Sequence, residues 1–241
     1  MRIGGPPEIK PIQWKPYKGD MVNTVLTIRN GKKTQETAWY EDRVNAVPRG
    51  NAYCIGNGPS RKDFDLNKLC NALYRDFIPD YIFSIDSPIT LTMVNDKVYE
   101  KCIHYTPALE VNRYPKGGPS HLHLIPNNPH WICGNMAIWT AGVHGHKNVY
   151  LLGYDFREFG KDQLNNIYQD TENYGPRHND TIFNGWLKQF RDMLKMRPYV
   201  NYIMVHDNPP EYMHNVQTGT DMGNSSIMSY KEFEDTVLAG S

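Results

Sequence analysis

The stretch Asn51-Ala52-Tyr53-Cys54-Ile55-Gly56-Asn57-Gly58-Pro59-Ser60 decides how the chain is read. Ala52–Ile55 is a short run of β-formers, as expected of a buried strand. It stops at Gly56-Asn57-Gly58-Pro59-Ser60, where two glycines let the backbone turn tightly and bring its N–H groups close to a ligand. A turn of this kind at the carboxyl end of a strand is where open α/β sheets bind nucleotides. The spacing is neither a P-loop nor the full Gly-x-Gly-x-x-Gly fingerprint. An ordinary strand-to-helix turn is therefore the competing reading.

Downstream, Leu66, Leu69, Cys70 and Leu73 recur at helical spacing, and Pro79 ends that helix. Tyr81–Ile85 reads as a second strand and finishes on Asp86-Ser87-Pro88. Asp86 either touches a ribose or a metal, or caps the helix opening at Pro88. Lys101–Thr106 is a third strand. Between Pro107 and Pro129 the pattern dissolves among prolines and glycines, leaving one short strand at His121–Ile125.

Trp131–Glu158 is the second informative region. Gly134-Asn135 opens an apolar helix, Met136–Val143, which Gly145 stops. Asn148–Leu152 is the next strand, and Gly153-Tyr154-Asp155-Phe156 ends it with an acidic residue at its carboxyl end. The N–H groups of Cys133, Gly134 and Asn135 at the helix start suit a phosphate. Small residues there also permit close helix packing. Residues 157–177 are a polar loop carrying Arg157, Lys161, Tyr168, Tyr174 and Arg177, long enough to serve as an active-site cover. His178-Asn179-Asp180 leads into a helix whose apolar face runs from Ile182 to Leu194, with Pro198 closing it. Val200–Val205 is a further strand, ending in His206-Asp207-Asn208-Pro209-Pro210. The tail reads as irregular until Ser229, a cap for a short helix through Leu238.

Residues 1–50 differ in character. Gly4-Gly5-Pro6-Pro7 and Trp14-Lys15-Pro16-Tyr17 favour an irregular path. Met21–Arg29 then alternates, Asn30-Gly31 follows, and Lys32–Trp39 returns, which is the local signature of a β-hairpin. The expected organisation is an N-terminal hairpin extension over 1–50 and an α/β domain over 51–241. The extension is suited to covering a sheet edge or to a contact between subunits of a homo-oligomer.

Composition narrows the classes. Lys+Arg and Asp+Glu are each 26 in 241 residues, for a formal net charge of zero, which argues against a general nucleic-acid binder. No apolar run approaches the ~20 residues of a membrane span, and Met1–Pro7 lacks the apolar core of a signal peptide. Cys54, Cys70, Cys102 and Cys133 fit neither a disulfide framework nor a zinc motif, so a cytoplasmic location is expected. The pairs His121-x-His123 and His144-x-His146 lack an organised third ligand for zinc.

Ile55-Gly56-Asn57-Gly58-Pro59-Ser60, followed by Lys62-Asp63-Phe64-Asp65 and Leu69, resembles the opening of the bacterial sialyltransferases of glycosyltransferase family 42. Cys133-Gly134-Asn135-Met136-Ala137 through Asn148–Phe156 resembles their second signature. The same blocks are similar to a wider group that includes archaeal 6-hydroxymethylpterin diphosphokinases. The resemblance covers about a quarter of the chain. It implies a Rossmann-like, mainly parallel sheet flanked by helices, with a nucleotide or nucleotide sugar, CMP-linked in the sialyltransferases, across the strand ends. The ligand residues it implies are Gly56, Asn57, Gly58, Pro59, Ser60, Asp86, Cys133, Gly134, Asn135, Asp155 and Arg157.

The departures bear on specificity. The sialyltransferases carry Asn where this chain has Asp86, and serine where it has Cys133. They place a phosphate-binding tyrosine where it has Arg157, a residue that holds phosphate well. His178 loosely resembles their general base, and imidazole titrates near neutrality. A sugar transferase of this type needs no metal. A diphosphokinase needs Mg²⁺, held by carboxylates such as Asp86 and Asp155. A non-catalytic nucleotide-sugar binder would keep the glycine turn and lose the base.

Overall fold

A computed structural model describes residues 22–29, 32–39, 50–66, 78–106, 122–125, 131–156, 166–168, 180–209, 213 and 223–239. Its strands form two sheets where the sequence reading placed one. Periodicity identifies strands but does not name their hydrogen-bonding partners. The described residues fall into two compact units, one around each sheet.

The first sheet has the order β2-β1-β6-β5-β4. β1 (Val22–Arg29) and β2 (Lys32–Trp39) are antiparallel, with Arg29 opposite Lys32. The Asn30-Gly31 turn expected between them lies outside the described residues. β1 is also antiparallel to β6 (Leu122–Leu124), while β6, β5 (Ile103–Thr106) and β4 (Tyr81–Phe83) run parallel. α1 (Ser87–Asn95) follows β4. Its Ile89 and Met93 bury with Ile82, Val98 and Cys102. Tyr105 stacks on Phe83 at 5.0 Å between ring centres.

The second sheet is fully parallel, in the order β3-β7-β8-β9. It comprises β3 (Ala52–Ile55), β7 (Asn148–Leu152), β8 (Asn201–Val205) and β9 (Ser225–Met228). Parallel strands with both faces covered read as unbroken apolar runs, and 149–152 and 202–205 are buried without exception. α2 (Cys133–Val143) and α3 (Asp180–Met196) precede β7 and β8. On one face Phe190 of α3 meets Tyr202 edge-on at 5.9 Å. On the other, Tyr53 and its register partner Tyr150 lie within 6 Å of Phe233, from α4 (Tyr230–Phe233), which continues as a π-helical turn over Glu234–Leu238. As expected, Gly145 ends α2, at φ 85°, and Ser229 caps α4 by accepting from the Glu232 amide. The structure is thus mixed α/β, with a parallel four-stranded sheet flanked by helices.

β9 corrects the expectation of an irregular tail. Ser225-Ser226-Ile227-Met228 has no strand pattern of its own; Tyr202 N–H donates to Asn224 O and His206 N–H to Met228 O. The Asn224 side-chain amide, 4% exposed, also reaches the carbonyls of Leu194, Arg197 and Val200 at 3.0–3.2 Å, satisfying the end of α3. The helix expected from Leu66 to Leu73 lies largely outside the described residues. Among the described residues no helix is long and apolar enough to cross a membrane.

Candidate functional site

The parallel sheet places the turns after β3, β7 and β8 at its carboxyl edge. Gly56 N–H donates to Leu152 O and Gly58 N–H to Gly153 O, both at 2.8 Å. The β3–β7 pairing therefore continues past the strands, and these two amides serve the fold, not a ligand. A Cβ on Gly56 would lie 2.4 Å from Gly153 O; one on Gly58 would lie 2.6 Å from the same oxygen and 2.7 Å from Asp155 Cγ. Gly58 has an ordinary φ of −70°. Both glycines are required by the approach of the neighbouring turn, which revises the ligand-approach reading.

Pro59 starts the 3₁₀ turn Pro59–Arg61, where its fixed φ and missing donor are harmless. That turn presents Ser60 to Asp155. Ser60 N–H donates to Asp155 Oδ2 at 3.0 Å, and Ser60 Oγ donates to Asp155 Oδ1. Asp155 is 5% exposed. It stands at the strand end, as expected, and its side chain clamps the two turns together. His206, at the end of β8, approaches from the other side, with Nε2 3.7 Å from Asp155 Oδ1. Its Nδ1 accepts from the Asn208 amide at 3.0 Å, so in the neutral ring the proton sits on Nε2 and points toward Asp155. Asp207 Oδ1 accepts from Tyr230 N–H at 2.8 Å and ties the same edge to α4.

Two backbone features sharpen this edge. Gly153 has φ +70°, and a Cβ there would meet Arg61 Cδ and Gly56 O at 2.9 Å. Phe156 is left-handed at φ 47°, a conformation that costs a non-glycine residue roughly 1–2 kcal/mol. Phe190, at 5.4 Å between ring centres, and Tyr154, at 5.9 Å, hold it there. Ile167 also reaches this edge, where its N–H donates to Asn57 O at 2.8 Å.

Asp86, Cys133, Gly134 and Asn135 belong to the first unit. Asp86 is exposed and occupies the N-cap position of α1, but its side chain accepts no cap bond. Cys133 opens α2, and its Sγ donates to Phe83 O at 3.0 Å. Burial pushes its thiol up to about 12, with the nearby Asp86 charge acting in the same direction. A carboxylate beside a helix start competes with any phosphate there. Gly134 is half-buried in the same first turn, and Asn135 is 0% exposed. A second polar cluster lies beneath: Ser84 Oγ and His104 Nε2 are 2.6 Å apart, and Thr90 Oγ1 lies 2.7 Å from Ser84 Oγ.

Gly56, Gly58, Pro59, Ser60 and Asp155 are thus brought together, and Asp86 lies near enough to Cys133 to act on its thiol. Arg157 and His178 lie outside the described residues. Sequence reasoning missed His206, Arg61 and Tyr230 at the same edge. A rule assigning weight to the polar residue after every apolar run would have found His206, which stands after Val205. Among the described residues no three His, Cys, Asp or Glu side chains converge as a metal site would require. Compared with known proteins, the chain matches no family model, no curated protein and no solved structure.

Proposed function

We propose that this chain is a nucleotide-sugar-dependent glycosyltransferase, Rossmann-like in its nucleotide-binding part, that moves a sugar to an acceptor hydroxyl without a metal. The observation that carries the reading is the convergence of Ser60, Asp155 and His206 at the carboxyl ends of three parallel strands. Open α/β sheets bind nucleotides at such an edge. The contact from Ile167 to Asn57 brings residues 166–168 to the same edge. The resemblance of the two sequence blocks supplies the sialyltransferase-like part, and a CMP-linked donor with it.

In this mechanism the chain orients the donor, stabilises the leaving phosphate and takes the acceptor proton. Arg157 is proposed for the phosphate and His178 for the proton, by resemblance and by chemistry. The competing Mg²⁺-dependent diphosphokinase would draw on Asp86 and Asp155. Asp155 already accepts two hydrogen bonds from Ser60, which weakens it as a metal ligand.

A thermal-shift panel with CMP, CMP-sugars and ATP, each with and without Mg²⁺, tests the proposal. Stabilisation by CMP or a CMP-sugar without metal is expected. Stabilisation by ATP alone, and only with Mg²⁺, would replace the transferase by the diphosphokinase. Once a donor is found, His178→Ala should lower turnover roughly 10²–10⁴-fold with donor affinity nearly unchanged.

A further inference from the structure

Arg61 has no part in the mechanism just described, yet its surroundings are unusual for an arginine. It ends the 3₁₀ turn after the glycines and is 3% exposed. Its aliphatic stem lies against Gly153, so closely that a Cβ there would stand 2.9 Å from Arg61 Cδ. Its Nε donates to Gly56 O at 2.6 Å. Its Nη2 is buried without an acceptor. Among the described residues no carboxylate stands within ion-pair range of it; Asp155 is held by Ser60 and faces His206.

A buried lysine in this position could lose its proton, but a guanidinium stays charged at every physiological pH. Burying a charge without a counter-charge is strongly unfavourable. The backbone carbonyl of Gly56 orients the guanidinium and neutralises none of its charge. The Tyr230 hydroxyl is close enough to feel that charge. That hydroxyl is buried without a well-formed hydrogen bond, with Ser60 and the Gly153 backbone nearest. Burial keeps the phenol protonated, hence a donor.

We infer that Arg61, with Tyr230, forms an oxyanion subsite at the carboxyl edge of the parallel sheet, and that its ligand is a phosphate group. The flat fork of the guanidinium bonds two phosphate oxygens at once, and the phenol supplies a further donor. The anion provides the charge that Arg61 lacks. The subsite rests on the glycosyltransferase reading only for the identity of the molecule bearing the phosphate. It also moves the phosphate from the start of α2, where Asp86 stands, to the turn after β3.

The test measures inorganic phosphate, CMP and cytidine on the full chain, for the parent, Arg61→Lys and Arg61→Met. In the parent, inorganic phosphate should protect against thermal unfolding beyond chloride of equal ionic strength, and CMP should bind more tightly than cytidine. Arg61→Met should weaken CMP at least about tenfold while cytidine is unchanged, since a charge-assisted bond is lost. Arg61→Lys, which keeps the charge but not the fork, should fall between them and decides the matter if Arg61→Met does not fold. The subsite is overturned if phosphate gives the parent no protection, or if both variants retain that protection and the preference for CMP. Phosphate protection that depends on Arg61, with neither CMP nor cytidine bound, would keep the subsite and remove the nucleotide reading.

Discussion

The amide of Gly58 donates to the carbonyl of Gly153 at 2.8 Å, and the side chain of Asp155 closes over the same junction onto Ser60. Two strand-end turns, nearly a hundred residues apart in sequence, thus form a single small unit. Its glycines, its carboxylate and its hydroxyl are interdependent, and whatever binds at this edge meets them as one surface.

Gly58 should be intolerant of any side chain. Even alanine places a Cβ 2.6 Å from Gly153 O and 2.7 Å from Asp155 Oδ2. Neither neighbour is the flexible end of a long chain, so the backbone must shift. Gly58→Ala should lose ~1–3 kcal/mol of stability, the usual range for overpacking. Denaturant titration measures it. Stability equal to the parent's would mean that the two turns separate easily and are not a unit.

His104 should make the protein acid-sensitive. It is 0% exposed, and burial lowers its pKa from 6.5 to about 4. Between those values the unfolded chain binds a proton that the folded one refuses, so stability is full above about pH 6.5 and falls toward pH 4. The linkage is on the order of 3 kcal/mol over the window. His104→Gln should flatten stability between pH 6.5 and 4, read by denaturant titration at several pH values. An unchanged slope would assign the acid response to other groups.

Cys133 should resist alkylation in the native protein. Its thiol sits at about 12 in place of 9.0, so its thiolate fraction at mild alkaline pH is lower by about three orders of magnitude. Iodoacetamide followed by peptide mass spectrometry should label it only after denaturation. Rapid native labelling would show that the start of α2 opens readily.

Three strands of the parallel sheet were legible: β7 and β8 are buried on both faces and leave continuous apolar runs, and β3 is a short run of β-formers. Ala52–Ile55 and Asn148–Leu152 match the observed strands residue for residue. β9 was not legible, since its conformation is imposed by β8 and not by Ser225–Met228. The division into two sheets was hidden for the same reason, as partners are chosen by tertiary structure. At the candidate site, sequence reasoning named Gly56, Gly58, Ser60 and Asp155 but not the neighbouring turn they pack against. A glycine needed for a ligand and a glycine needed for a neighbouring turn look identical in one dimension. Arg61 was passed over because its isolation is a property of burial, which no spacing rule reports.

The three carbonyls gathered by Asn224 have a consequence for how the parallel sheet avoids self-association. β9 lies along β8 and occupies the row of N–H and C=O groups that β8 would otherwise offer to another molecule, leaving a four-residue, serine-containing strand as the outer edge in place of an apolar one. Asn224 pins that strip to the end of α3, through Leu194, Arg197 and Val200. The chain's final segment thereby works as a selvedge. A chain cut just before Asn224 would present the apolar β8 as a bare template, and intermolecular strand pairing would follow.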